Sequence, residues 1–165
     1  MKNSISGNQH ITIRKGNLND LEAMQQLFRD SIEVICQKDY NTEQRRAWQS
    51  GADNEERWMN VIRDQYVLIA EYEHQIAGFC TLDQSNYIDL LFVHKDYQQK
   101  GIASMLYDEI EKEARLLHSE QLTAEVSKTA RPFFEKVGFH VIQEQTVDVK
   151  GIALINYKMT KDLIS

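Results

Sequence analysis

At 165 residues, 42% of them hydrophobic and 27% charged, the chain has the size and make-up of one globular domain with a substantial core. Its formal net charge of −6 comes with no basic stripe, which argues against a nucleic-acid partner and suits the steering of a cationic substrate. No apolar run approaches the roughly 20 residues that cross a bilayer, and residues 1–10 lack a signal-peptide core, so a cytoplasmic protein without membrane contact is expected.

Residues 1–10 read as a flexible tail and residues 11–165 as one domain, with no linker or internal repeat. Ile11-Thr12-Ile13-Arg14 alternates as a first strand. Asn19 or Asp20 caps the helix that follows, where Leu21, Met24, Leu27, Phe28, Ile32 and Ile35 recur at helical spacing. A second short helix is predicted over residues 42–51 with Thr42 as N-cap, and a third over 54–63. Cys36 and Cys80 are far apart and lack metal or redox spacing, which predicts reduced, half-buried thiols. The five histidines show no ligand spacing either, so no metal site is expected.

From Tyr66 the period changes. Two short apolar runs, 67–70 and 76–80, flank the polar Tyr72-Glu73-His74-Gln75 as a hairpin, and a third strand over 87–93 completes an antiparallel meander. An amphipathic helix follows, with Ile102, Met105, Leu106, Ile110, Ala114 and Leu117 on one face and Asp108, Glu111, Lys112 and Arg115 on a solvated one. A strand over 122–126, a helix from about Thr129 with Pro132 in its first turn and Gly138 past its end, and a hairpin of 139–149 with 152–159 complete the chain. Helices flanking a mixed sheet make an α/β or α+β domain.

The loop between the third strand and the amphipathic helix, Gln98-Gln99-Lys100-Gly101-Ile102-Ala103, carries the chemistry. A side-chain-poor turn at a helix start presents several N–H groups beside the positive end of the helix dipole, which favours an anion such as pyrophosphate. A P-loop needs Gly-Lys-Ser/Thr, but Lys100 precedes Gly101 and Ile102 follows it. A dinucleotide fingerprint needs three glycines, and Gly101 stands alone.

The pattern Gln98-x-x-Gly101-x-Ala103, after an apolar strand ending in Val93, resembles the acyl-CoA loop of the GNAT superfamily of N-acetyltransferases. Residues 127–139 resemble that family's late motif N-x-x-A-x-x-x-Y-x-x-x-G-F at Ala130, Gly138 and Phe139, and the element order is similar from end to end. The resemblance implies a mixed, mostly antiparallel sheet flanked by helices, and acetyl-CoA (coenzyme A) as cofactor. Gln98, Gln99, Lys100, Gly101, Ile102, Ala103 and Ser104 would hold its pyrophosphate. Leu91 and Val93 would pair with pantetheine, and an N–H near Phe92 or Val93 would be the oxyanion donor. Ser127 stands where the family often has an Asn that contacts pantetheine or a bound water. Phe134 stands where it often has a Tyr near the CoA sulfur.

The implied reaction moves acetyl from sulfur to a primary amine of a small molecule or protein, by direct transfer in a ternary complex. A thiol of pKa roughly 8.5 leaves tolerably without a proton donor, so the lost phenol costs little. Freeing a Lys-like amine of pKa about 10.4 at pH 7 costs roughly 4.6 kcal/mol, so a base matters more. Asp89, a carboxylate inside the apolar strand before the loop, is the candidate catalytic residue, as base or as amine anchor. Strand alternation puts it on the face of Tyr87, Leu91 and Val93. Tyr107 and Tyr157 are alternative proton donors, each more simply read as packing. Tyr40, Trp48 and Trp58 can line an acceptor pocket or anchor the core, and Glu43, Asp53, Glu55 and Glu56 can draw in a cation or form a solvated face. The alternative to an enzyme is an acyl-CoA-binding sensor that keeps the loop without turnover, and a homodimer is compatible with either.

Overall fold

The computed structural model describes residues 10–164, so all of the expected tail but His10 lies outside the described residues. Seven strands form one sheet: β1 (Ile11–Lys15), β2 (Tyr66–Tyr72), β3 (Gln75–Asp83), β4 (Tyr87–Val93), β5 (Gln121–Ser127), β6 (His140–Val149) and β7 (Ile152–Asp162). Their order is β1-β2-β3-β4-β5-β7-β6. Every neighbouring pair is antiparallel except β4 and β5, which run parallel because a helical crossover joins them. Among the described residues five α-helices flank the sheet: α1 (Leu21–Ile35), α2 (Thr42–Gln49), α3 (Glu55–Asp64), α4 (Ile102–Leu116) and α5 (Arg131–Lys136).

Two large cores result, one on each face, with a smaller cluster of Cys36, Tyr40 and Leu154 beside them. Ile102, Leu106 and Ile110 of α4 and Phe134 of α5 bury one face with Leu68, Cys80, Ile88 and Val126. Met24, Phe28 and Ile32 of α1 and Trp58 of α3 bury the other with Val67, Ile69, Phe79 and Leu90. Trp58 is thus a core anchor, 2% exposed, with its indole N–H donating to Gly51 O at 3.1 Å.

Several local expectations are corrected. The chain enters α1 through a 3-10 turn, Leu18–Asp20, whose cap is Asn17; Asp20 stands at the N-cap position of α1, as expected, but makes no side-chain cap bond there. The Asp20 carboxylate is instead held by Arg14 and by Asn17 N–H. Asn41, one residue before Thr42, caps α2 in a reciprocal pair with Gln44. That helix ends at Gln49 and continues as a 3-10 turn, Ser50–Asp53. On α4, Tyr107 is buried while Leu117 is exposed, because the helix has ended by that point. Glu111 is not merely solvated but accepts from Tyr107, Arg115 and Lys161. Both cysteines are buried rather than half-buried.

Candidate active site

Two irregularities in the middle of the sheet open a site. The first is a split. Strands β4 and β5 pair only at Tyr87↔Thr123 and Ile88↔Ala124, and beyond that fork they part. The second is a bulge. Opposite β3, Thr81 pairs with Leu90 but Leu82 pairs with Ile88, so Asp89 is an extra residue. Ile88 and Leu90 therefore fall in opposite cores, although unbroken alternation would place them on one face. The displaced Leu90 N–H donates to the buried Thr81 Oγ1 at 3.1 Å.

Past the bulge, regular alternation returns. His94 N–H donates to Ala77 O at 2.8 Å, and Phe92 O lies against Gly78 on the β3 side. By period two, the backbone groups of Leu91 and Val93 point away from β3 and into the split. Of the two N–H groups expected as oxyanion donor, that of Val93 faces the opening and that of Phe92 faces β3.

Gln98 ties down the loop that follows, its Nε2 donating to Val93 O at 2.9 Å and His94 O at 3.2 Å. Gln99 and Gly101 both take left-handed backbone, at φ 62° and 80°. This reverses the chain within four residues and delivers it into α4, whose first return bond is Met105 N–H to Gly101 O at 3.0 Å. The N–H groups of Ile102, Ala103 and Ser104 precede that bond and point out of the helix end beside the split. Lys100 is exposed over the same turn. A Cβ at Gly78 would meet Ile102 Cγ2 and Phe92 O at 3.0 Å, so this glycine lets the start of α4 sit close against β3 and β4. A glycine inside a strand pattern is a signal of close approach, and reading Gly78 that way would have found it.

The opposite face carries different chemistry. Asp89 lies there, not on the side of Leu91 and Val93, because the bulge turns it. Its Oδ1 accepts from Arg57 at 3.1 Å, and its Oδ2 accepts from Arg57 at 3.0 Å and Gln65 at 2.8 Å. No sequence spacing announced Arg57 as its partner across 32 positions. The same face holds Trp48, packed between Tyr40 at 5.4 Å and Phe92 at 6.4 Å. The Tyr40 hydroxyl donates to Ile155 O at 2.6 Å and accepts from Lys128 N–H at 2.9 Å, and burial pushes it up to about 12. Together with Thr129 Oγ1 donating to Asp39 Oδ2 at 2.8 Å, it pins the segment between α1 and α2 over the ends of β5 and β7.

At the end of β5, Ser127 Oγ accepts from Ala130 N–H at 3.0 Å and caps the turn into α5. Phe134 is 4% exposed, edge-to-face with Phe133 and Phe139, and offers no proton. Tyr107 is equally remote from proton transfer: burial, then its bond to Glu111 at 2.6 Å, holds its phenol far above the ordinary range. Tyr157 lies under the Arg131 guanidinium, 4.6 Å from its ring centroid. Among the described residues no group of His, Cys, Asp and Glu is arranged to hold a metal, and no helix is long and apolar enough to cross a membrane.

A family profile described as acetyltransferase (GNAT) domain matches residues 36–161, which takes in the split, the loop and α2 to α5. The chain belongs to the GNAT acetyltransferases. It is 31% identical over 151 residues to the uncharacterized N-acetyltransferase YafP of Escherichia coli K12, covering 91% of this chain and 95% of that one. A GCN5-related N-acetyltransferase structure from Rhodopseudomonas palustris superposes with a TM-score of 0.89 at 35% identity, covering 92% and 95%. The PaiA N-acetyltransferase of Thermoplasma acidophilum, solved in complex with coenzyme A, shares the fold at a TM-score of 0.75 and 23% identity, over 92% and 98%. This GNAT domain is therefore an N-acetyltransferase of a family that uses acetyl-CoA.

Proposed function

We propose that the protein transfers acetyl directly from acetyl-CoA to a primary amine, with both substrates meeting in the split between β4 and β5. The observation that carries this reading is the pairing of a freed strand edge with an N–H-rich helix start at its end. The donor set fits the group: Gln99 to Ser104 present backbone N–H groups and the dipole of α4 to a pyrophosphate, and Leu91 and Val93 offer peptide groups to the amides of pantetheine. When bound, acetyl-CoA supplies an acetyl thioester whose thiolate, of pKa roughly 8.5, leaves without a proton donor, which suits a site with Phe134 in place of a phenol. Val93 N–H is aimed where negative charge would develop on a carbonyl oxygen. Ser127 stays beside the split through the bond its Oγ accepts from Ala130 N–H in the turn before α5.

Because α4 and the anion cradle occupy one face, the acceptor enters from the other, where Asp89 lies. Arg57 and Gln65 fix the Asp89 carboxylate, and Oδ1 keeps a lone pair for the amine or for a water that takes its proton. Trp48, Phe92 and Tyr40 wall this side. Calorimetric titration with acetyl-CoA tests the reading, with ATP and NADH as controls. Micromolar binding of acetyl-CoA alone, lost in Gly101→Glu, is the expected result; no binding by the folded wild-type protein would overturn it.

A further inference from the structure

The face opposite α4 carries a second carboxylate at the split. Glu125 stands one residue past Ala124, the last β5 residue paired with β4, so it is the first residue of β5 above the fork. Ala124 and Val126 are buried in the core beneath α4 and α5, so alternation turns Glu125 to the other face, where it is exposed. Asp89 is the first residue of β4 above the same fork, and one step from Ile88, which is buried under α4, puts it on that face too. Burial, then the charges of Glu125 and Asp89, pushes the Tyr87 phenol up to about 12.

The two acids differ in what already compensates them. Asp89 accepts three hydrogen bonds, two from a guanidinium. Glu125 makes no hydrogen bond or ion pair among the described residues, although Lys158 stands opposite it in register on β7. A substrate ammonium approaching Asp89 meets the repulsion of Arg57 in a formed ion pair, whereas at Glu125 it breaks no ion pair among the described residues, with Lys158 the cation that faces it across β7.

We propose that Glu125 receives the positive charge of the acetyl acceptor, which makes the acceptor an organic cation bound at the fork. The assignment rests on the acetyltransferase reading above, since it takes this face as the acceptor's side. Glu125 then sets KM for the amine, and Asp89 and Val93 act on the reacting atoms.

The test uses the full chain with coenzyme A bound, titrated calorimetrically with putrescine, phenethylamine and lysine methyl ester, and the same amines in steady-state assays with acetyl-CoA. Glu125→Gln is expected to weaken amine binding and raise KM at least tenfold while kcat and acetyl-CoA affinity change less than twofold. Glu125→Lys should weaken it further, Glu22→Gln on exposed α1 surface should change nothing, and added salt should narrow the gap between wild type and Glu125→Gln. Equal amine affinity in wild type and Glu125→Gln, or a wild type that binds acetyl-CoA but none of these amines, overturns the assignment. A loss of thermal stability in Glu125→Gln with amine affinity kept would show a strut paired with Lys158, and also overturns it. Failure of the wild type to bind acetyl-CoA would instead sink the donor-site reading and is read separately.

Discussion

The two faces of the split are built on opposite plans. On the α4 face the proposed site is backbone: a strand edge and a helix start, with Gly78 letting α4 approach the sheet, Gly101 taking the left-handed turn and Gln98 bracing it. On the other face it is side chain, an Arg57–Asp89–Gln65 cluster, the Glu125 carboxylate and an aromatic wall drawn from α2, the α1–α2 segment and β4. A backbone cradle tolerates changes of side chain that keep the turn, because its donors belong to every residue. A side-chain cluster can be re-aimed by single substitutions, which suits it to acceptor choice.

Four changes break or sharpen that contrast. The largest effect is expected at the cradle, where Gly101→Glu puts a Cβ on left-handed backbone and a negative charge at the helix start; acetyl-CoA affinity should fall at least about 1,000-fold by calorimetry, with the fold retained by circular dichroism. On the opposite face Asp89→Asn should keep acetyl-CoA binding and lower kcat about 100-fold, and binding and turnover falling together would erase the division between faces. Gly78→Val should push α4 outward, costing roughly 1–3 kcal/mol in denaturant unfolding and weakening acetyl-CoA binding without touching a ligand atom. Phe134→Tyr should change kcat less than about threefold, since a thiolate leaves unaided; a large gain would show that a proton donor at this place limits the rate.

Behind the cradle, pH offers a further handle. Burial opposes ionisation of Glu111, but hydrogen bonds from Lys161, Tyr107 and Arg115 outweigh it and bring the carboxyl from an ordinary 4.5 down to about 2. A carboxyl lowered on folding contributes stability above its unfolded value, and that contribution is lost as pH falls through the folded one. Thermal melts should therefore weaken between about pH 4.5 and 2 in the wild type, and Glu111→Gln should flatten that stretch of the profile.

The meander, the helix after the loop and the final hairpin were legible as elements because apolar runs and helical period mark them even where bulges interrupt the strand alternation, and the loop was legible because its residues are contiguous. Caps were less so: Asn17 and Asn41 win over their neighbours through reciprocal bonds with Asp20 and Gln44 that depend on where the helix begins. The side assigned to Asp89 was wrong for a specific reason. Alternation counts residues, and a bulge inserts one that only the partner strand reveals.

The sequence by itself determined the element order, the family and the tight turn into α4 where we propose that the anion binds, since each is written in local period or in a short motif whose atoms are neighbours along the chain. Tertiary structure alone decided the split, the bulge and the company each carboxylate keeps. Register between strands and the meeting of Arg57 with Asp89 are long-range outcomes of packing two cores on one sheet, and no window of sequence contains them.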